Sequence, residues 1–289
     1  MKIAVIFTGG TIGSRTNDKW ITVDATTRYD LLKHYENDED ITFEAFSPYN
    51  ILSENLSAKE LNMLQKEIKD RLTENFDGII VTHGSDTLQY TSTAVEMAFG
   101  NCETPIIFVS ADYPLDNEKS NGYPNFQCAV EFIRNKIANG VFVSYKNDDA
   151  LITHIHIPSR ILMHNELNAN IYSIDKKPFA EYNGEFKLNN IEYPEYNEYE
   201  IVNYTTKSKI LVVHSFPGQD YSFSLENTKA ILFKTYHSAT LDTANEHFVS
   251  FCKMATENNI PILVIDERGE FININGENVD FIRFSDKYY

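Results

Sequence analysis

The chain has 289 residues, 42% of them hydrophobic, enough apolar side chain to fill two cores. Its 42 acidic against 25 basic residues leave a formal charge of −17, which argues against a surface that displaces counterions from a nucleic-acid backbone. Cys102, Cys128 and Cys252 are scattered without CxxC spacing, which argues against a disulfide framework or structural zinc.

In chain order, the first element is the continuous apolar run Ile3-Ala4-Val5-Ile6-Phe7, closed by Thr8-Gly9-Gly10. It reads as a buried parallel strand followed by a tight loop. The run begins so close to Met1 that no room is left for a secretory signal. No stretch approaches the roughly 20 apolar residues of a membrane helix, so the expected setting is a reduced cytoplasm with no membrane partner. The acidic run Glu36-Asn37-Asp38-Glu39-Asp40 lacks the alternating ligands of a calcium loop and reads as a solvated turn.

Ser57 followed by Glu60 forms a capping box, and Leu61, Leu64, Ile68 and Leu72 recur at helical spacing behind it. A second buried strand, Gly78-Ile79-Ile80-Val81-Thr82, ends in His83-Gly84-Ser85-Asp86 and an amphipathic helix through about Phe99. The unit repeats with Pro105-Ile106-Ile107-Phe108-Val109 and a helix from about Phe126 to Ile137. A second α/β unit begins at Ile210-Leu211-Val212-Val213 and continues through Ala230-Ile231-Leu232-Phe233, a helix around Ala244 to Glu257, and Ile260-Pro261-Ile262-Leu263-Val264.

The alternation of strand, loop and helix predicts an α/β fold. A larger N-terminal domain, 1–180, is expected to hold a doubly wound, mainly parallel sheet. An interdomain connection follows over 181–208, then a smaller C-terminal α/β domain over 209–289.

Two strand ends carry hydroxyls beside glycines: Thr8-Gly9-Gly10-Thr11-Ile12-Gly13 and Thr82-His83-Gly84-Ser85-Asp86-Thr87. Ligands of open α/β sheets bind at such carboxyl ends. Glycines there admit close backbone approach to a small substrate and present amides to a developing oxyanion. By composition alone the first loop could equally cradle a phosphate or be a structural turn. It matches neither GxGxxG nor the lysine-bearing P-loop.

Taken as a pair, the two motifs resemble the signature of the bacterial-type L-asparaginase family, whose threonine motifs are TGGTI and HGTDT. Ser53-Glu54-Asn55 resembles the segment that binds the amino-acid end of the substrate, and Ser110 to Asn125 is similar to a segment of the cytoplasmic type I branch. Phe216-Pro217-Gly218 and Tyr236-His237-Ser238 resemble landmarks of the family's C-terminal domain. The resemblance implies an amidohydrolase acting on asparagine or a related small amide, without metal or other cofactor, assembled as a homodimer or homotetramer.

By that resemblance Thr11 is the nucleophile, Ser85 and Asp86 belong to the proton relay, and Gly10, Gly84, Ser53 and Glu54 line the substrate site. A threonine hydroxyl needs a base or relay to attack an amide. Ser85 stands where the family has threonine and keeps the hydroxyl. The family's lysine has no counterpart after Val141-Phe142-Val143-Ser144, which makes Arg160 the best-placed cation to hold Asp86. An arginine stays protonated and cannot act as a base. The segment Ser14 to Val23, where the family has a lid tyrosine, offers Trp20, as a closing residue or as simple packing.

His154 and His156 share one face of a strand but show no third ligand at metal-site spacing. His83 reads as an orienting residue. Two other readings stay open: a divergent family member that binds a small amino acid with little turnover, and the asparaginase-like subunit of a tRNA-dependent amidotransferase. The acidic charge and the absence of an added N-terminal domain count against the second.

Overall fold

The computed structural model describes residues 1–17, 20–23, 28–148, 150–162, 169–196, 201–205, 207–236, 238 and 240–265. They divide into two compact units, Met1–Tyr204 and the part that begins at Thr205.

The first unit opens with β1 (Lys2–Phe7), the turn Thr11–Gly13 and a hairpin of β2 (Ser14–Asn17) with β3 (Trp20–Val23). There follow α1 (Arg28–Lys33), β4 (Thr42–Phe46), the turn Ser53–Asn55, α2 (Ala58–Leu72), β5 (Gly78–Thr82), the turn Ser85–Thr87 and α3 (Leu88–Phe99). Next come β6 (Ile106–Val109), α4 (Gly122–Arg134), β7 (Val141–Tyr145), β8 (Thr153–His156), the turn Pro158–Arg160, β9 (Ala180–Tyr182) and β10 (Phe186–Leu188).

These strands form one sheet in the order β10-β9-β8-β7-β6-β5-β1-β4. From β4 to β7 every pairing is parallel; β8, β9 and β10 run antiparallel to their neighbours. The expected α/β architecture is present, and both faces of the parallel part are covered, which is why its strands read as unbroken apolar runs. Ile3, Val5, Ile107 and Phe142 pack against Phe126, Ala129 and Ile133 of α4. The alternate residues Ala4, Ile6, Phe108 and Val143 pack against Leu64 and Ile68 of α2 and Val95 and Phe99 of α3.

Two helix ends show how local chemistry sets the boundaries. At α2 the Ser57 side chain accepts the Lys59 N–H at 3.3 Å, and its hydroxyl donates to the Glu60 carboxylate. Ser57→Ala is expected to cost about 1 kcal/mol and to lower Tm by about 2–4 °C. An unchanged melting curve would show that this cap contributes nothing. Helix α4 begins earlier than its apolar periodicity suggests, with Pro124 in the first turn, where a missing N–H is tolerated. It ends at Arg134 because Lys136 takes φ +49°, a left-handed stop.

Part of the stretch expected as a connection belongs to the first unit's sheet, since β9 and β10 lie within 180–188. Beyond them Tyr193 fills the space above Gly140, its hydroxyl accepting the Val141 N–H at 2.8 Å, and Tyr196 fills the space above Gly100. In the second unit β11 (Lys209–His214), β12 (Thr228–Lys234) and β13 (Ile262–Ile265) form a parallel sheet around α5 (Glu246–Glu257). Val213, Ile231, Phe233 and Val264 pack there with Phe248 and Phe251. Among the described residues no helix is long and apolar enough to cross a membrane.

Candidate active site

The carboxyl ends of β1 and β5 are adjacent because Phe7 registers with Thr82. The Thr8 hydroxyl donates to the Thr82 carbonyl at 2.7 Å, which ties the two loops at their roots. The third loop joins through Ile51, whose carbonyl accepts the Gly10 N–H at 2.9 Å and whose N–H donates to Thr8 at 3.1 Å. The Thr87 hydroxyl then donates to the Ser53 carbonyl at 3.1 Å. Thr11, Ser53 and Ser85 therefore stand on three short turns gathered at one end of the sheet.

Glycine is required where these turns touch. Gly10 has φ +76°, and a Cβ on it would strike the backbone of Gly84. A Cβ on Gly84 would in turn strike the Ser53 hydroxyl. Gly10, Gly84 and Ser53 are thus stacked in direct contact, as the pairing of the two sequence motifs requires. Gly184, at φ +104° with open space around it, provides a control for the backbone cost alone. Gly184→Ala is expected to cost about 1–2 kcal/mol, and Gly10→Ala clearly more, read as paired shifts in Tm. Equal shifts would sink the close-approach reading.

Thr11 is half-buried at the start of its turn, and Ser14 pins that turn through a hydroxyl bond to the Gly10 carbonyl at 2.7 Å. Ser85 is half-buried and Asp86 exposed at the N-terminal end of α3; Ser53 is buried and Glu54 exposed beside it. β3, which Trp20 opens, returns alongside the Thr11 turn. The Trp20 side chain lies outside the described residues, as does His237.

His83 is fully buried, and desolvation lowers its pKa to about 4 against a smaller opposing effect of the Gly84 carbonyl. It is neutral at neutral pH. Its Nδ1 lies 2.8 Å from that carbonyl, which can only accept, so Nδ1 carries the proton and His83 orients the loop.

Arg160 does not meet Asp86, and the expected partnership is corrected. β8 returns antiparallel to β7, pairing Tyr145 with His154 and Val143 with His156, so the chain descends away from the carboxyl ends. The turn Pro158–Arg160 docks on α3, where Ser159 donates its N–H to Glu96 at 2.6 Å and its hydroxyl at 3.2 Å. Glu96 lies ten residues along α3 from Asp86, roughly 15 Å of helical rise. The Arg160 Nε is buried without a hydrogen-bond partner.

His156 binds the Ser173 hydroxyl at 2.8 Å through Nδ1, and burial lowers its pKa to about 3. Among the described residues no three His, Cys, Asp or Glu side chains are grouped to hold a metal. Sequence reading assigned no role to Ser110, Asp112 and Asp148, which stand at the carboxyl ends of β6 and β7. Ser110 and Asp112 lie in the segment Ser110 to Asn125, whose resemblance to the type I branch was the signal for that loop.

The family described as "Asparaginase, N-terminal" matches residues 2–192. The chain is similar to a glutamyl-tRNA(Gln) amidotransferase subunit of Methanococcus maripaludis, 29% identical over 273 residues, covering 89% of this chain and 64% of that protein. It is similar to the corresponding subunit from Thermoplasma acidophilum, 29% identical over 191 residues, 65% of this chain and 46% of that protein. It therefore spans less than two-thirds of these relatives' length. Among solved structures it resembles L-asparaginase I of Vibrio cholerae, with TM-score 0.74, 22% identity and coverage of 90% of this chain and 79% of that one. It also resembles the thermostable L-asparaginase from Thermococcus kodakarensis, with TM-score 0.78, 18% identity and coverage of 98% and 86%. At these identities the likeness is one of fold.

Proposed function

This chain belongs to the asparaginase family, and from that membership we propose that it hydrolyses L-asparagine to L-aspartate and ammonia through an acyl-enzyme on Thr11. The observation that carries the proposal is the Gly10–Gly84–Ser53 stack, which gathers the Thr11, Ser85 and Ser53 turns at the carboxyl ends of β1 and β5. The Thr11 oxygen attacks the side-chain amide carbon, and the carbonyl electron pair moves onto oxygen. When that pair returns, the C–N bond breaks and its electrons leave with nitrogen, which departs as ammonia after receiving the hydroxyl proton. Water then adds to the ester, and Thr11 leaves with its proton restored. The turn amides beside Gly10 suit a developing oxyanion. Ser53 and Glu54 supply the hydroxyl and carboxylate types that fix an α-carboxylate and α-ammonium.

Ammonia release from purified protein with asparagine, glutamine and simple amides tests this reading. Turnover of asparagine supports it. Stabilisation by these ligands without ammonia release would overturn it in favour of a binding protein. The named relatives favour one further reading, a subunit that supplies amide nitrogen within a tRNA-dependent amidotransferase. Release that requires an acylated tRNA and a second protein component would select that reading, and release from free asparagine by the chain alone would reject it.

A further inference from the structure

At the amino ends of the parallel strands β1, β5, β6 and β7, opposite the hydroxyl loops, the first unit holds a cavity of about 430 Å³, within the size range of small-molecule sites. It is lined by residues that lead into the strands and out of α4: Asp77 before β5, Glu103 and Pro105 before β6, Ile133 and Lys136 at the end of α4, and Asn139 before β7. Met1, ahead of β1, also lines it, whereas Thr11 follows the other end of that strand, so the two sites do not overlap.

Backbone bonds fix the lining. The Ile79 N–H donates to the Pro105 carbonyl at 2.9 Å and the Ile106 N–H to the Gly140 carbonyl at 2.8 Å, which sets the three entries side by side in the order Asp77, Glu103, Asn139. Asp77 donates its N–H to the Lys2 carbonyl at 2.8 Å and accepts the Lys2 N–H on Oδ2 at 2.7 Å. At the end of α4 the Lys136 N–H donates to the Ile133 carbonyl at 3.1 Å and the Ile137 N–H to the Phe132 carbonyl at 3.2 Å. This is the helix stop whose left-handed residue is usually glycine, and here a lysine occupies it at φ +49°. Ile133 and Pro105 are buried and supply the apolar lining. Gly78 leaves room for Ile133, since a Cβ there would strike its side chain.

The charges of the cavity are not matched within the protein. Arg134, which also lines it, is engaged by Asp38 at 2.5 Å and Glu131 at 2.7 Å. Among the described residues the side chains of Lys136, Glu103 and Asn139 make no hydrogen bond or ion pair. An ammonium and a carboxylate thus line one cavity without reaching each other. The acids stand on the β5 and β6 side, and Lys136 and Asn139 on the side that leads into β7.

We propose that this cavity binds a free α-amino acid with an apolar side chain. Its carboxylate lies on Lys136 and Asn139, its ammonium on Glu103 and Asp77, and its side chain on Ile133 and Pro105. A simple anion would face the two acids and a simple cation would face Lys136, whereas a zwitterion complements both ends.

Calorimetric titration of the full chain with L-leucine tests this, with isoamylamine and isocaproate, which lack the carboxylate and the ammonium respectively, as controls. Leucine is expected to bind at about one equivalent, and each control about ten- to a hundredfold more weakly. Lys136→Gln and Glu103→Gln are expected to weaken leucine by a similar factor, and both side chains are exposed, so neither change disturbs the core. Glu54→Gln, beside the hydroxyl loops, should leave leucine binding as in the parent. No saturable binding at millimolar leucine would overturn the proposal. So would a control that matches leucine, or binding that is lost in Glu54→Gln and kept in Lys136→Gln. The comparison of leucine with its two controls needs only the parent chain, so it decides even if a variant fails to fold, and none of these measurements depends on turnover.

Discussion

Thr11→Ala is expected to reduce ammonia release by about 10⁴-fold or more while moving Tm by no more than a degree or two. The side chain is half-buried and its turn is held by other groups, the Ser14 hydroxyl on the Gly10 carbonyl and the Gly13 N–H on the same oxygen. Stability and chemistry therefore separate at this position. Removing the attacking oxygen leaves only the polarising amides and bound geometry, which is why residual catalysis over water persists when a nucleophile is deleted. Thr11→Ser keeps the oxygen and should retain measurable turnover. Ser85→Ala should fall between the two, because the relay is interrupted while the nucleophile remains. If Thr11→Ala stays within tenfold of the parent, the nucleophile is another group and the acyl-enzyme assignment to Thr11 is wrong.

The parts of this protein that were legible in sequence are those whose physics is local. β1, β5 and β6 announce themselves because strands buried on both faces have no reason to alternate, and Ser57 with Glu60 marks a helix start by its own hydrogen bonding. The two hydroxyl loops follow from the strands that end in them. β9 and β10 were not legible, since three-residue strands such as Ala180–Tyr182 are too short to show a period. Arg160 shows a different failure. Its distance along the chain from β7 suited a partner of Asp86, yet an antiparallel return reverses the direction of travel, and sequence spacing carries no sign. Asp112 and Asp148 belong to different loops, and the bonds of Asn121 and Asn125 that tie those loops together have no counterpart in sequence spacing.

Acid should destabilise the first unit through two buried histidines. His83 and His156 are held neutral in the fold, with pKa values near 4 and 3 against an ordinary value of 6.5. In the unfolded chain both take up protons as pH falls through 6.5, while the folded chain does not. The unfolded state then binds more protons, so unfolding free energy falls with falling pH, with a limiting slope of about 1.4 kcal/mol per pH unit for each histidine. The Asp112 carboxyl, raised chiefly by burial, acts in the opposite sense, because a carboxyl with a raised pKa contributes stability at low pH and loses it as pH rises. Comparing parent with variant at each pH isolates one group from the rest. His83→Asn keeps a donor for the Gly84 carbonyl, and His156→Asn keeps a partner for Ser173. Each is expected to cost a constant amount above about pH 7 and to close the gap to the parent steadily between about pH 6 and about pH 4. A stability difference that stays flat across that window would mean that the histidine protonates inside the fold, and would remove the orienting role assigned to His83.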